Sequence, residues 1–134
     1  MTDGFVLDLA AIDRHRVADV GGKAANLGEL TRVAGVAVPA GRVVTTAAFR
    51  RFVAATPALP EQVERLADLD PADAAALATR CAEVRALIAA SPVPDDVGTA
   101  LAAALDGMPG PYAVRSSATA EDAPAASFAG QYDT

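Results

Sequence analysis

From Pro57 to Gly107 every run of large apolar residues recurs at helical spacing, and none alternates as a strand would. The stripes are Leu59, Val63 and Leu66; then Leu77, Cys81, Val84 and Ile88; then Val97, Leu101 and Leu105. Pro60, Pro71 and Pro94 each suit a first helical position, and Gly107 suits a C-terminal cap. Three helices are therefore expected. The region is rich in Ala, polar outside and without any cluster that does chemistry, so its expected role is scaffold. Cys81 falls on a core-facing stripe, where a buried inert thiol is expected.

The flanks carry the strand signals. Phe5 to Leu9 is a short first or edge strand, and Ile12 to Val17, with Arg14, His15 and Arg16, is a loop or a single helical turn. His15 is the only histidine and is read as an exposed polar side chain rather than an acid-base group. Gly35 suits a helix terminus, and Pro39 with Gly41 marks a turn. Arg42 to Thr46 is β-branched and reads as a core strand. Thr45 or Thr46 then caps a helix from Ala47 to about Ala54 that buries Phe49, Phe52 and Val53 and leaves Arg50 and Arg51 outside. Met108-Pro109-Gly110-Pro111 is a turn, and Tyr112 to Val114 is a strand that ends at Arg115. The class is α/β, helix-rich with a small sheet, without an internal repeat, a low-complexity linker or a domain boundary.

The chain has 134 residues, enough for one domain or for part of a larger one. Its net charge of -6 and scattered basic residues argue against nucleic acid, whose phosphates need clustered Lys and Arg. With Cys81 alone, no intrachain disulfide forms and a reducing compartment is expected. The start, MTDGFVLDL, lacks the positive region of a secretory signal, and no stretch approaches the ~20 apolar residues of a membrane helix. A cytoplasmic protein without membrane contact is the expectation.

Chemistry concentrates at two places far apart in the chain. In VGGKAANLGEL, Ala24, Leu27, Leu30 and Ala34 recur at helical spacing, so a helix is expected to begin just after the glycines. Gly21 and Gly22 allow a ligand close to the main chain, and the unpaired N–H groups and dipole of a helix start favour an anion. Lys23 adds a positive charge there and is the only lysine, the ten other basic residues being arginine. Taken alone, GGK reads equally as a turn before a helix. It is not a Walker loop, which needs Gly at Val17 and Ser or Thr at Ala24. At the other end, Arg115 precedes the hydroxyls of Ser116, Ser117 and Thr119 and the small residues closing on Ser127-Phe128-Ala129-Gly130-Gln131. Glu121 and Asp122 read as a solvated loop or helix start rather than a metal pair. The two segments are expected to face each other across a nucleotide.

Together, VGGKAANLGEL with VPAGRVVTT near the start and AVRSSATAEDAPAASFAGQYDT at the end resemble the nucleotide-binding domain of the pyruvate phosphate dikinase and phosphoenolpyruvate synthase family. Within it the likeness is nearest to the rifampicin phosphotransferases, which share an Ile-Asp before the GGK and an Asp-Thr after SFAGQ. The resemblance covers essentially the whole chain. It implies that residues 1–134 are the first, mixed α/β subdomain of an ATP-grasp type fold. It also implies ATP contacts at Lys23, Arg115, Gly130 and Thr134, with Gly22 and Gln131 in the same two loops. The family departs from this chain at Arg42, where a large apolar residue is usual, and at Tyr132, where Gln is commoner. The implied activity is an ATP-dependent phosphotransfer that yields AMP and phosphate. A histidine on another domain carries the phosphoryl group to pyruvate or an antibiotic hydroxyl, and Mg2+ is held by acidic ligands beyond these residues. The alternative is a non-catalytic module that binds nucleotide weakly or docks on a separate chain carrying the other domains.

Overall fold

Asp8 and Asp13 each close a tight turn with their own side chains. Oδ1 of Asp8 accepts from the amide of Ala10 and Oδ1 of Asp13 from that of His15, both at 2.9 Å. Short polar side chains that capture an amide two residues on are a standard way to start a helical turn. The computed structural model describes residues 4–119. Its elements are β1 (Val6–Asp8), 3₁₀ turns at Leu9–Ala11 and Arg14–Arg16, α1 (Val17–Leu30), β2 (Arg42–Val44), α2 (Thr46–Ala55), α3 (Ala58–Ala67), α4 (Ala74–Ala90) and α5 (Asp95–Leu105). Among the described residues the fold is helix-rich with one small antiparallel sheet, β1 against β2. No helix among the described residues is long and apolar enough to cross a membrane.

Two compact units divide the chain, one formed by the residues up to Phe49 with those from Asp96 onward, the other by Arg50–Asp95. The divisions fall within α2 and at the first residues of α5, directly after Ser91-Pro92-Val93-Pro94.

In the first unit the strand register pairs Val6 with Val44, Leu7 with Val43 and Asp8 with Arg42. Leu7 and Val43 thereby share the face that packs on a core of Ile12, Val20, Ala24 and Ala25, joined by Val17. The helical stripe expected along α1 is corrected. Leu27 and Leu30 are 38% and 42% exposed, while Ala24, Ala25 and Gly28 are the buried face. At Gly28 a small residue is required because Ile12 runs against the helix there: a Cβ on Gly28 would lie 2.7 Å from the Ile12 carbonyl oxygen. Gly35 adopts φ 82 in a turn after α1 rather than at its last residue.

Arg42 shows how a charged residue is accommodated where the family resemblance leads one to expect an apolar one. Its guanidinium pairs with Asp8 across the strands at 2.6 Å, and its Nε donates to the carbonyl of Ala104 at 2.9 Å, in the last turn of α5. A cation satisfies one of the carbonyls that a helix end leaves unpaired.

Thr45 caps α2 as expected: its Oγ1 accepts from the amide of Ala48 at 3.4 Å. The side chain buried from α2 is Ala48, whereas Phe49 is 61% exposed and Phe52 and Val53 are half-buried. Gly107 sits just past α5 at φ 74, as its capping role requires.

In the second unit α3 packs on α4, and Leu59 of α3 is buried. Leu66, Leu77, Cys81 and Val84 are half-buried, and Val63 and Ile88 are exposed. The prolines stand near the helix starts but not at the first position. Pro60 is the third residue of α3, Pro71 precedes the Asp73 cap of α4, and Pro94 immediately precedes α5. Every amide of a first turn lacks an intrahelical partner, so proline is tolerated throughout it.

Candidate functional site

Gly21 breaks α1 with φ 78 and ψ 164, angles far from helical that L side chains rarely adopt. A helical turn from Val17 therefore ends at the glycines, and a second helical run starts there. The helix expected to begin just after the glycines is this second run; the helical turn from Val17 that precedes it carried no signal read from the sequence.

Such a restart leaves amides without intrahelical partners. Here two of them are taken by the far end of the described chain. The amide of Ala24 donates to Oγ of Ser117 at 3.1 Å, and the amide of Gly22 donates to the carbonyl of Ala118 at 3.2 Å. The same Ser117 hydroxyl donates to the carbonyl of Val20 at 2.7 Å. A serine 93 residues away thus does what an N-cap side chain does locally.

The two segments expected to meet are therefore joined directly. What approaches the buried glycines is Ser117 itself, not open space for a ligand: a Cβ on Gly21 would lie 2.6 Å from Oγ of Ser117. At Gly22 and Ala24 the expectation of amides open to an anion is corrected, because protein acceptors already hold them. Lys23 stands between those two held amides and is half-buried. Arg115, just upstream of Ser117, is exposed.

Tyr112 to Val114 does not form the expected strand. The sheet consists of β1 and β2, and this segment follows the prolines at 109 and 111 as irregular chain with Val114 81% exposed. A strand needs a ladder partner, and none pairs with it among the described residues. Arg115 therefore stands on a loop.

Other candidates separate from this junction. His15 is exposed, in keeping with its surface reading. Gly130, Gln131 and Thr134, with Glu121, Asp122 and Tyr132, lie outside the described residues. Among the described residues no group of three or more His, Cys, Asp or Glu could hold a metal ion. An open pocket of about 390 Å³ lies in the second unit between Leu69 and Glu83. It contains none of the candidate residues, and its Arg80 is paired with Glu83 at 2.6 Å.

The junction puts a lysine and an arginine on two segments held together by hydrogen bonds. Lysine supplies a compact charge and arginine a planar fork, a combination suited to phosphate oxygens. The cap formed by Ser117 was not foreseen from sequence, where Ser117 appeared only as one of three hydroxyls.

Residues 17–134 match the family described as pyruvate phosphate dikinase, AMP/ATP-binding domain. The whole chain is 52% identical to a rifampicin phosphotransferase of Streptomyces sviceus, of which it covers 16%. Over 97% of its length it is 42% identical to a probable phosphoenolpyruvate synthase of Methanothermobacter thermautotrophicus, of which it covers 20%. It is 40% identical over its full length to a phosphoenolpyruvate synthase of Neisseria meningitidis, covering 18% of that protein. The chain thus spans about a fifth or less of these relatives. With a match over most of its residues, the chain belongs to the pyruvate phosphate dikinase AMP/ATP-binding domain family.

Proposed function

We propose that the chain is the N-terminal part of the ATP-binding domain of an ATP-dependent phosphotransferase, the first subdomain of an ATP-grasp type fold. The observation that supports this most is the junction of Gly22 and Ala24 with Ser117 and Ala118, which joins the segments of Lys23 and Arg115. In this reading Lys23 and Arg115 bind ATP phosphates, with Gly22, Gly130, Gln131 and Thr134 in the surrounding loops. Because the Gly22 amide is held by Ala118, Gly22 shapes the loop rather than donating to the nucleotide.

The reaction is a dikinase-type transfer. ATP yields AMP: its γ-phosphoryl group goes to water and leaves as phosphate, and its β-phosphoryl group passes through a histidine outside residues 1–134 to an acceptor. Relatives named as rifampicin phosphotransferase and phosphoenolpyruvate synthase make an antibiotic hydroxyl or pyruvate the candidate acceptors. Positioning and charge neutralisation dominate phosphoryl transfer. The described residues supply two cations for that task and no carboxylate cluster for Mg2+.

Titration of the chain with ATP in the presence of Mg2+, followed by backbone amide shifts, tests the reading. Saturable shifts at Gly21 to Lys23 and Ser116 to Ala118 are expected. Lys23→Ala or Arg115→Ala should weaken binding by about ten-fold, the scale of one lost charge-assisted contact. Unmoved amides in the wild type, or two variants that titrate like it, would overturn the assignment.

A further inference from the structure

Ser117 uses one oxygen to bridge the break in α1, accepting from Ala24 and donating to Val20. Ala118 closes a second link to Gly22. Lys23 is therefore flanked by two amides that belong to one clamp, and that clamp is made by the segment bearing Arg115. Two consecutive glycines would otherwise leave the backbone before Lys23 among the least restrained in the chain. A local N-cap would hold the helix start but would not tie it to Arg115. The distant cap does both.

From this we infer that Ser117 is a positioning residue for the phosphate chain of the nucleotide, fixing the backbone of Lys23 against the Arg115 segment without touching the ligand. The inference rests on the ATP reading of Lys23 given above. Its physical basis is preorganisation: holding a long cationic side chain at its root reduces the ordering cost that phosphate binding would otherwise carry. The hydroxyl is needed as donor and acceptor at once, which Ala cannot supply and Thr can.

The test is a double-mutant cycle on ATP affinity with Mg2+, read by amide shifts, with amide hydrogen exchange and thermal midpoint measured on each variant. Ser117→Ala is expected to weaken ATP binding about five- to twenty-fold and to speed exchange at Ala24, as loss of two hydrogen bonds at the clamp implies. Ser117→Thr should restore both. In a Lys23→Ala background, adding Ser117→Ala should weaken binding by less than about two-fold, because the group being positioned is gone. Additive losses, equal losses in the Ala and Thr variants, or wild-type ATP affinity in Ser117→Ala would each overturn the positioning role. If Lys23→Ala weakens ATP while Ser117→Ala does not, the ATP reading stands and the positioning role falls. If the wild type fails to bind ATP, or Lys23→Ala is silent, both fall. Should Ser117→Ala not fold, Ser117→Cys, which keeps the volume with weaker hydrogen bonds, is read by the same criteria.

Discussion

Oγ of Ser117 lies 2.6 Å from the position a Cβ on Gly21 would take, and the Ser117 carbonyl carbon and oxygen lie 2.7 and 2.8 Å from it. Two of these three atoms are backbone, so a rotamer change cannot relieve the overlap. Gly21 is also at φ 78, where a side chain adds strain. Gly21→Ala is therefore expected to destabilise the fold by about 2–4 kcal/mol, from overpacking and backbone strain together. Chemical denaturation checks this. Combining it with Ser117→Gly should not restore stability, because the clashing carbonyl remains; full recovery would show that the hydroxyl alone sets the contact.

Gly28 offers a test in which two effects oppose each other. Helix propensity favours Ala over Gly by about 1 kcal/mol in a helix interior. The Ile12 carbonyl oxygen and Cβ would lie 2.7 and 2.9 Å from the new Cβ, inside normal contact. Overpacking of this kind costs about 1–3 kcal/mol, so sterics should win. Gly28→Ala should lower the urea midpoint, and a rise would mean that the 3₁₀ turn and Ile12 yield easily.

The pairing of Arg42 with Asp8 should contribute little by itself, since the Asp8 side chain is 50% exposed. A double-mutant cycle between them is expected to give a coupling below about 1 kcal/mol that shrinks with salt. Arg42→Ala should cost more than Asp8→Ala, because it also leaves the Ala104 carbonyl without its donor. Equal costs would mean that the α5 contact contributes nothing.

Several elements were legible in the sequence because their determinants are local. Both strands, the Thr45 cap, the three helices after Pro57 and the terminal role of Gly107 follow from side chains within a few residues of the feature. The meeting of GGK with the serine segment was also legible, as a pairing of two motifs. Its form was not, because a cap supplied from 93 residues away has no local signature. The same limit explains the Tyr112 to Val114 segment, whose β-prone residues have no ladder partner among the described residues. It explains α1 as well: apolar periodicity favours Leu27 and Leu30, whereas Ala24 and Ala25 are the residues buried in the core with Ile12, and close approach of the Ile12 main chain selects Gly28.

That preference for small residues at close contacts also decides α2, where Ala48 is buried at 2% exposure and the neighbouring Phe49 is 61% exposed. By size alone Phe49 should anchor the helix. By position it should not, and truncating an exposed aromatic typically changes stability by no more than about 0.5 kcal/mol. Phe49→Ser is thus expected to leave the thermal midpoint nearly unchanged. Ala48→Leu, which forces three extra carbons into a filled site, should cost about 1–3 kcal/mol. Thermal denaturation of both variants separates the alternatives: a larger loss in Phe49→Ser than in Ala48→Leu would show that Phe49 is covered in the working protein. It would also turn this exposed ring from a solvated side chain into a contact.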